Sequence, residues 1–191
     1  MKTILFSLSF IVCVSCAVSQ EKKSLLKEEV LLKESTEYVK KIDSLISLSN
    51  DMEYSTKYVT QRISEGTITL SDSLKTALGS GSFNEDTYTN QETDEIVKIR
   101  YSTNLNYNKY SISKDGLAYE REEITIYYKK EKAYVIFYSN RKRDEKDATS
   151  NIKHRFQVTK EGNIKDYSPD EDKNKTAKFV LRFSKRLIED K

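Results

Sequence analysis

Few side chains in this chain are of a type that does acid–base or nucleophilic chemistry, and they are scattered. His154 is the one histidine. It alternates with Ile152 and Phe156, the pattern of a packed strand position rather than a catalyst. A single histidine excludes a multi-His metal site. A hydrolytic triad would have to pair His154 with a nearby acid, and no G-x-S-x-G motif is present to hold a nucleophile. Among the acids, Glu122 and Glu123 are adjacent and so point to opposite faces of a strand. Glu120 and Glu122 share a face, but at the outer end of a strand such like charges read as solvated, with no cleft for paired acid/base work. Ser24–Lys27 and Ser111–Lys114 repeat a Ser-x-x-Lys pattern without its partner motifs. Gly79-Ser80-Gly81-Ser82 lacks the G-K-[ST] ending of a phosphate loop. Asp170-Glu171-Asp172-Lys173-Asn174 opens like a calcium loop, but Lys175 stands where glycine is required and Leu181 where a bidentate glutamate is required. No metal and no cofactor is expected, and the chain reads as non-catalytic.

What the residue types do favour is contact. There are 13 tyrosines and no tryptophan. Tyrosine buries its ring while its hydroxyl finds a polar partner, which suits a recognition surface. The clearest hairpin runs from Tyr119–Tyr128 through Lys129-Lys130-Glu131-Lys132 into Ala133–Ser139. Pairing Tyr128 with Ala133 sets Ile126 opposite Val135 and Ile124 opposite Phe137 on an aliphatic face. The other face then carries Thr125, Tyr127, Tyr134, Ile136 and Tyr138. Tyr127, Tyr134, Ile136 and Tyr138 are therefore the candidate ligand-binding residues, toward a protein, peptide or glycan. The competing reading makes these aromatics core on both faces of a covered sheet.

The elements that would position this hairpin follow from periodicity. Leu25, Leu32, Val39 and Ile46 recur every seven residues beside Leu31, Tyr38, Leu45 and Met52, an amphipathic helix over 24–50 capped by Ser24. The complementary heptad row is mostly polar, which argues against a coiled coil. Residues 54–70 stay open between helix and a hairpin turning at Glu65-Gly66. Residues 79–95 are polar and glycine-bearing, the composition of a loop. Ile96–Leu105 alternates as a strand, and after a charged loop at 140–151 so does Ile152–Val158, turning at Glu161-Gly162 to Ile164–Tyr167. The tail 175–190 reads as a closing helix, with a strand through Phe179, Leu181 and Phe183 as the competitor. The expected fold is α+β: an N-terminal amphipathic helix packed on an antiparallel β-meander of about five or six strands, with a short C-terminal helix.

The chain opens with Met1-Lys2, an uncharged run Thr3–Val14, and small residues Ser15 to Ser19. That is the pattern of a signal peptide over residues 1–19, leaving a single α+β domain at 20–191. Cleavage after Ser19 would release a periplasmic or secreted protein. Alternatively Cys16 is the lipidated cysteine of a lipobox, which departs from the usual pattern in having Cys13 where leucine is preferred. A membrane association is expected only with lipidated Cys16. Both cysteines lie in this segment, so the remainder holds no disulfide and folds by burial alone. One of the 33 basic residues, Lys2, leaves with the leader; 32 against 30 acids is a net +2, not the footprint of a nucleic-acid binder.

The stretch Ile124–Tyr138 (ITIYYKKEKAYVIFY), followed by the polar hairpin FQVTKEGNIKDY at Phe156–Tyr167, resembles uncharacterised exported bacterial helix-plus-β-meander proteins. The resemblance covers about a quarter of the chain. It implies the fold and an exported location, and no activity. The leading function is an exported binding protein of the cell envelope or secreted fraction. The alternatives are a hydrophobic-ligand carrier, with a pocket between helix and sheet, and a hydrolase using His154.

Overall fold

The computed structural model describes residues 28–49, 58–71, 73–108, 116–159, 162, 164–166 and 173–189. A helix α1 covers 28–49. Seven strands follow: β1 Val59–Ser71, β2 Ala77–Asn90, β3 Ile96–Tyr107, β4 Leu117–Lys129, β5 Lys132–Asp144, β6 Thr149–Val158 and β7 Ile164–Asp166. Helix α2 is Lys173–Glu189. The strands form one antiparallel sheet in chain order, so every neighbour in space is a neighbour in sequence. The fold is α+β, with seven strands among the described residues rather than five or six.

The difference lies in two segments, 54–70, open between helix and hairpin, and 79–95, expected as a loop. Residues 59–71 neither turn at Glu65-Gly66 nor form a helix; they are one strand, paired with β2 along its length. The expected loop at 79–95 is mostly β2, and the chain turns only at 91–95. Glycines of β1 and β2 are sites of close approach. A Cβ at Gly81 would stand 2.1 Å from the carbonyl oxygen of Asn104 on β3, and one at Gly66 would stand 2.5 Å from the ring of Phe83. Here glycine lets the β3 backbone and an aromatic ring cover the strand rather than loosening it. Asn90 closes the β2–β3 turn, its Oδ1 accepting from the N–H groups of Glu92 at 2.8 Å and Thr93 at 3.3 Å.

The expected 140–151 loop likewise shrinks, because β5 runs on to Asp144 and β6 begins at Thr149. Asp144 ties that turn, its Oδ1 accepting from the N–H groups of Lys146 and Ala148, both at 2.8 Å.

The β4–β5 hairpin pairs Tyr128 with Ala133, as the sequence indicates. Immediately beyond, the register shifts: Tyr127 opposes Val135, so Tyr134 is the extra residue of a β-bulge. From there Ile126 faces Ile136, Ile124 faces Tyr138, and Thr125 faces Phe137. The expected faces are thereby corrected. Ile136 and Tyr138 join Ile124 and Ile126, while Val135 and Phe137 join Thr125 and Tyr127.

The first of these faces carries the core. Ile99, Ile124, Ile126, Tyr128, Ile136, Phe156 and Val158 pack with Val180 and Leu187 of α2. Tyr128 donates its hydroxyl to the Ser184 carbonyl at 2.9 Å, so its buried polar end is satisfied inside that layer. The Tyr101 ring meets Phe183 edge-on at 4.9 Å.

The described residues divide into two compact units, with the boundary inside α1 between Lys40 and Lys41. In the first unit the Ser35 and Thr36 hydroxyls donate back to the Leu32 carbonyl at 2.9 and 2.7 Å, side-chain bonds made within the helix. In the second unit the last turns of α1 meet the second sheet face. Asp43 accepts from Lys98 Nζ at 2.7 Å and from the Tyr127 hydroxyl at 2.9 Å, and Ser49 Oγ accepts from the Val59 N–H at 3.0 Å.

The hairpin turn has a conformational cost written into it. Lys130 and Glu131 both have positive φ, 53° and 59°, as a two-residue type I′ turn requires, and neither is a residue that prefers that region. Replacing the pair (Lys130→Asn with Glu131→Gly) removes that penalty and is expected to stabilise the fold by about 1 kcal/mol. Thermal unfolding should show this as a rise in Tm of about 2–4 °C. An unchanged or lower Tm would count against the turn as described.

Candidate functional site

The register sorts the charges of β4 and β5. Along Glu120-Arg121-Glu122-Glu123 side chains alternate between faces, and so do those of Asn140-Arg141-Lys142-Arg143 opposite. Glu120 stands across from Lys142, Glu122 from Asn140, and Arg121 from Arg141. Glu120, Glu122, Tyr138, Asn140 and Lys142 thus lie on the α2-bearing face, next to the apolar core rather than in solvent.

These residues form one hydrogen-bonded network. Glu120 Oε1 accepts from Asn140 Nδ2 at 2.8 Å and pairs with Lys142 Nζ at 3.2 Å, and its Oε2 accepts from the Tyr107 hydroxyl at 3.0 Å. Glu122 Oε2 accepts from the Tyr138 hydroxyl at 3.2 Å, and that oxygen of Tyr138 in turn accepts from Asn140 Nδ2 at 3.2 Å. Asn140 is 6% exposed, with its Oδ1 buried and without a hydrogen-bond partner.

The two carboxyl groups are pushed in opposite directions. For Glu120, burial alone would raise the pKa. Donation from Asn140, the Lys142 charge and the Tyr107 hydroxyl together outweigh burial, so the group is held below its usual range. For Glu122, burial raises the pKa and the neighbouring Glu120 charge adds to it, with only Tyr138 and Lys142 opposing. Tyr107 is pushed up to about 12 by burial and by its bond to Glu120, and Tyr138 to about 12, chiefly by burial. Both phenols therefore remain protonated donors at neutral pH.

Of the four residues expected to share a binding face, this network contains one. Tyr138 belongs to it. Ile136, on the same face, is 0% exposed within the core. Tyr127 lies on the opposite face, 4% exposed and bonded to Asp43, with Lys98 Nζ 4.9 Å from its ring. Tyr134 is the bulge residue, with Lys129 Nζ 5.1 Å from its ring. His154 is 3% exposed, its ring stacked 6.1 Å from Tyr138 and 5.4 Å from Phe156. That is the packed strand position its alternation indicates. The pair Glu120 and Glu122 is what sequence reasoning set aside. Its signal was the i, i+2 spacing opposite Asn140 and Lys142, readable only with the bulge in place.

The expected leader with Cys13 and Cys16, the two Ser-x-x-Lys pairs and Asp170-Glu171-Asp172 lie outside the described residues. Among the described residues no group of three or more His, Cys, Asp or Glu is placed to hold a metal ion, and no helix is long and apolar enough to cross a membrane. No protein-family model, curated protein or solved structure matches this chain.

The opposite shifts have a consequence for stability. Glu122 has a folded-state pKa above its unfolded value, so its ionisation costs stability as pH rises through the folded value, and the cost is relieved on acidification. Glu122→Gln is therefore expected to raise Tm at pH 7 relative to the parent, with the gain shrinking toward pH 4. Glu120 behaves oppositely: the stability it contributes is present above the unfolded pKa and lost as pH falls through the lowered folded value. A Glu122→Gln gain that is flat from pH 4 to 8 would contradict the description.

Proposed function

We propose that this is a non-catalytic binding protein, exported to the cell envelope or secreted, whose recognition surface is the Tyr107–Glu120–Glu122–Tyr138–Asn140 shelf. The observation that carries the reading is the division of labour between the two carboxylates. Both oxygens of Glu120 are engaged within the chain, by Asn140, Lys142 and Tyr107. It is a positioning group and not a free base, which weighs against a carboxylate-pair enzyme. Glu122 is the under-compensated acceptor of the pair. A half-buried carboxylate in that state gains from a ligand that brings hydrogen-bond donors, such as sugar hydroxyls or the N–H groups of a peptide. Tyr107 and Tyr138 flank it with rings suited to the same ligands.

Packing favours this surface over a hydrophobic-ligand carrier. The layer between α2 and the sheet is filled by Ile99, Ile124, Ile126, Ile136 and Phe156, each 0% exposed. The deep burial of His154 between two rings likewise weighs against the hydrolase reading.

The test is an array of neutral oligosaccharides and short peptides probed with the protein and two variants. Glu122→Gln and Tyr138→Phe are each expected to weaken the strongest interaction about tenfold, the loss of one hydrogen bond to a charged or buried partner, with circular dichroism unchanged. Binding that is indifferent to both variants would remove this surface from the reading.

A further inference from the structure

The second sheet face, on the same strands, carries the opposite charge. Alternation and register place Arg100, Arg121, Arg141, Arg143 and Lys153 on it, and all five are exposed. Against them stand Asp86 of β2, the cross-strand partner of Arg100, and, on that stretch of β3–β6, one carboxylate, Glu123. It is shared between Arg121, with which it makes a close ion pair, and Arg100 at 4.0 Å, and it also accepts from the Ser139 hydroxyl at 3.4 Å. Arg143 leans on Asp147 of the following turn at 3.8 Å. Arg121 and Arg141 are direct cross-strand partners. Like charges in that relation destabilise a sheet, and an anion between them converts the repulsion into two attractions. Guanidinium groups suit this, because their planar fork donates two parallel hydrogen bonds to a carboxylate or sulfate.

We propose that this face binds an acidic polysaccharide, one bearing uronate or sulfate groups, as a surface separate from the Glu122 shelf and independent of it. The choice of partner rests on what lies between the cations. Ser102, Asn104, Asn106, Ser139 and Asn151 occupy the intervening positions of this face. They are short hydrogen-bonding side chains that match the hydroxyls of a sugar polymer. The large apolar side chain of this stretch, Phe137, is partly buried with the Arg155 guanidinium 5.6 Å over its ring, so it is not presented for insertion into a lipid layer. The aromatics there are Tyr119, with Arg143 5.9 Å over its ring, and the partly buried Phe137, too little for the successive stacking platforms that single-stranded nucleic acid uses.

The experiment measures binding of the full chain to polygalacturonate and dextran sulfate, with neutral dextran, phosphatidylglycerol vesicles and duplex DNA as the other arms. Binding to at least one polyanionic sugar is expected at 50 mM salt. It should weaken about tenfold or more by 200 mM, as release of counterions requires, with neutral dextran inert. The double variant Arg121→Gln/Arg141→Gln should weaken it at least tenfold. The charge-matched double variant Lys178→Gln/Lys185→Gln, on α2, should change it less than twofold. Thermal unfolding of the arginine variant keeps the test interpretable, since losing the exposed Arg121–Glu123 pair and relieving the Arg121–Arg141 repulsion are both small effects that should leave Tm within a few degrees of the parent. Three results would each overturn the proposal: no binding to either polyanionic sugar, equal losses in the two double variants, or tighter binding to the vesicles or DNA than to the sugars.

Discussion

A single extra residue, Tyr134 in β5, decides which side chains this sheet presents on which face. Up to the turn, Tyr128 opposes Ala133; one step later Tyr127 opposes Val135. Had the pairing continued without the bulge, Glu120 would oppose Arg141, and Ile124 would oppose Phe137. Arg141 and Arg143 would then stand beside the core, while Asn140 and Lys142 would sit among the cations of the other face. The bulge exchanges these sets. It puts Ile136 under Ile126 and Phe156, where the core is completed, and Lys142 opposite Glu120, where a partly buried carboxylate needs a cation. A one-residue slip inverts every side chain beyond it because the strand period is two. The core and both polar surfaces therefore depend on the same irregularity.

Much of the meander was legible because apolar residues alternate where one face is buried. Ile99, Ile124, Ile126, Phe156 and Val158, and the Val180–Leu187 side of α2, all announce themselves this way. Strands β1 and β2 did not, for a physical reason. They lie at and next to the sheet edge, where Gln61, Ile63, Glu65 and Thr67 are exposed and Phe83 is among the few large apolar side chains of β2. Asn, Asp and Gly disfavour strands intrinsically, but a template strand such as β3 offers backbone partners that override so small a preference. Glycine even helped, since Gly66 and Gly81 make room that any side chain would take away.

The polar site was illegible for a related reason. Glu120 and Glu122 look like solvated charges only if β5 stops at Ser139; running on to Asp144, it sets Asn140 and Lys142 opposite them inside the sheet. The basic run Arg141-Lys142-Arg143 looks like an interleaved, featureless loop only if it is a loop. In a strand the same letters separate, two to one face and one to the other, and the neighbouring Glu120-Arg121-Glu122-Glu123 separates with them. Charge patterning along a sequence and charge patterning across a sheet are different quantities, and the register converts one into the other.

The lengths of the elements explain why such polar surfaces exist at all. A strand of 13 residues extends about 40 Å, whereas a helix with its side chains is about 10 Å across. One helix laid on a face thus shields only part of each strand. On one face α2 covers the part holding Ile99, Ile126, Ile136 and Phe156; on the other, the last turns of α1 engage the part holding Lys98 and Tyr127 through Asp43. Strands this long cannot be apolar throughout without leaving an exposed hydrophobic slab, so their far halves must be polar. Alternation then forces the polar residues into two separate sets, and in β4 and β5 those sets carry opposite charge. The long meander is in this sense a platform with two unlike surfaces, each anchored by a helix at the other end of the same strands.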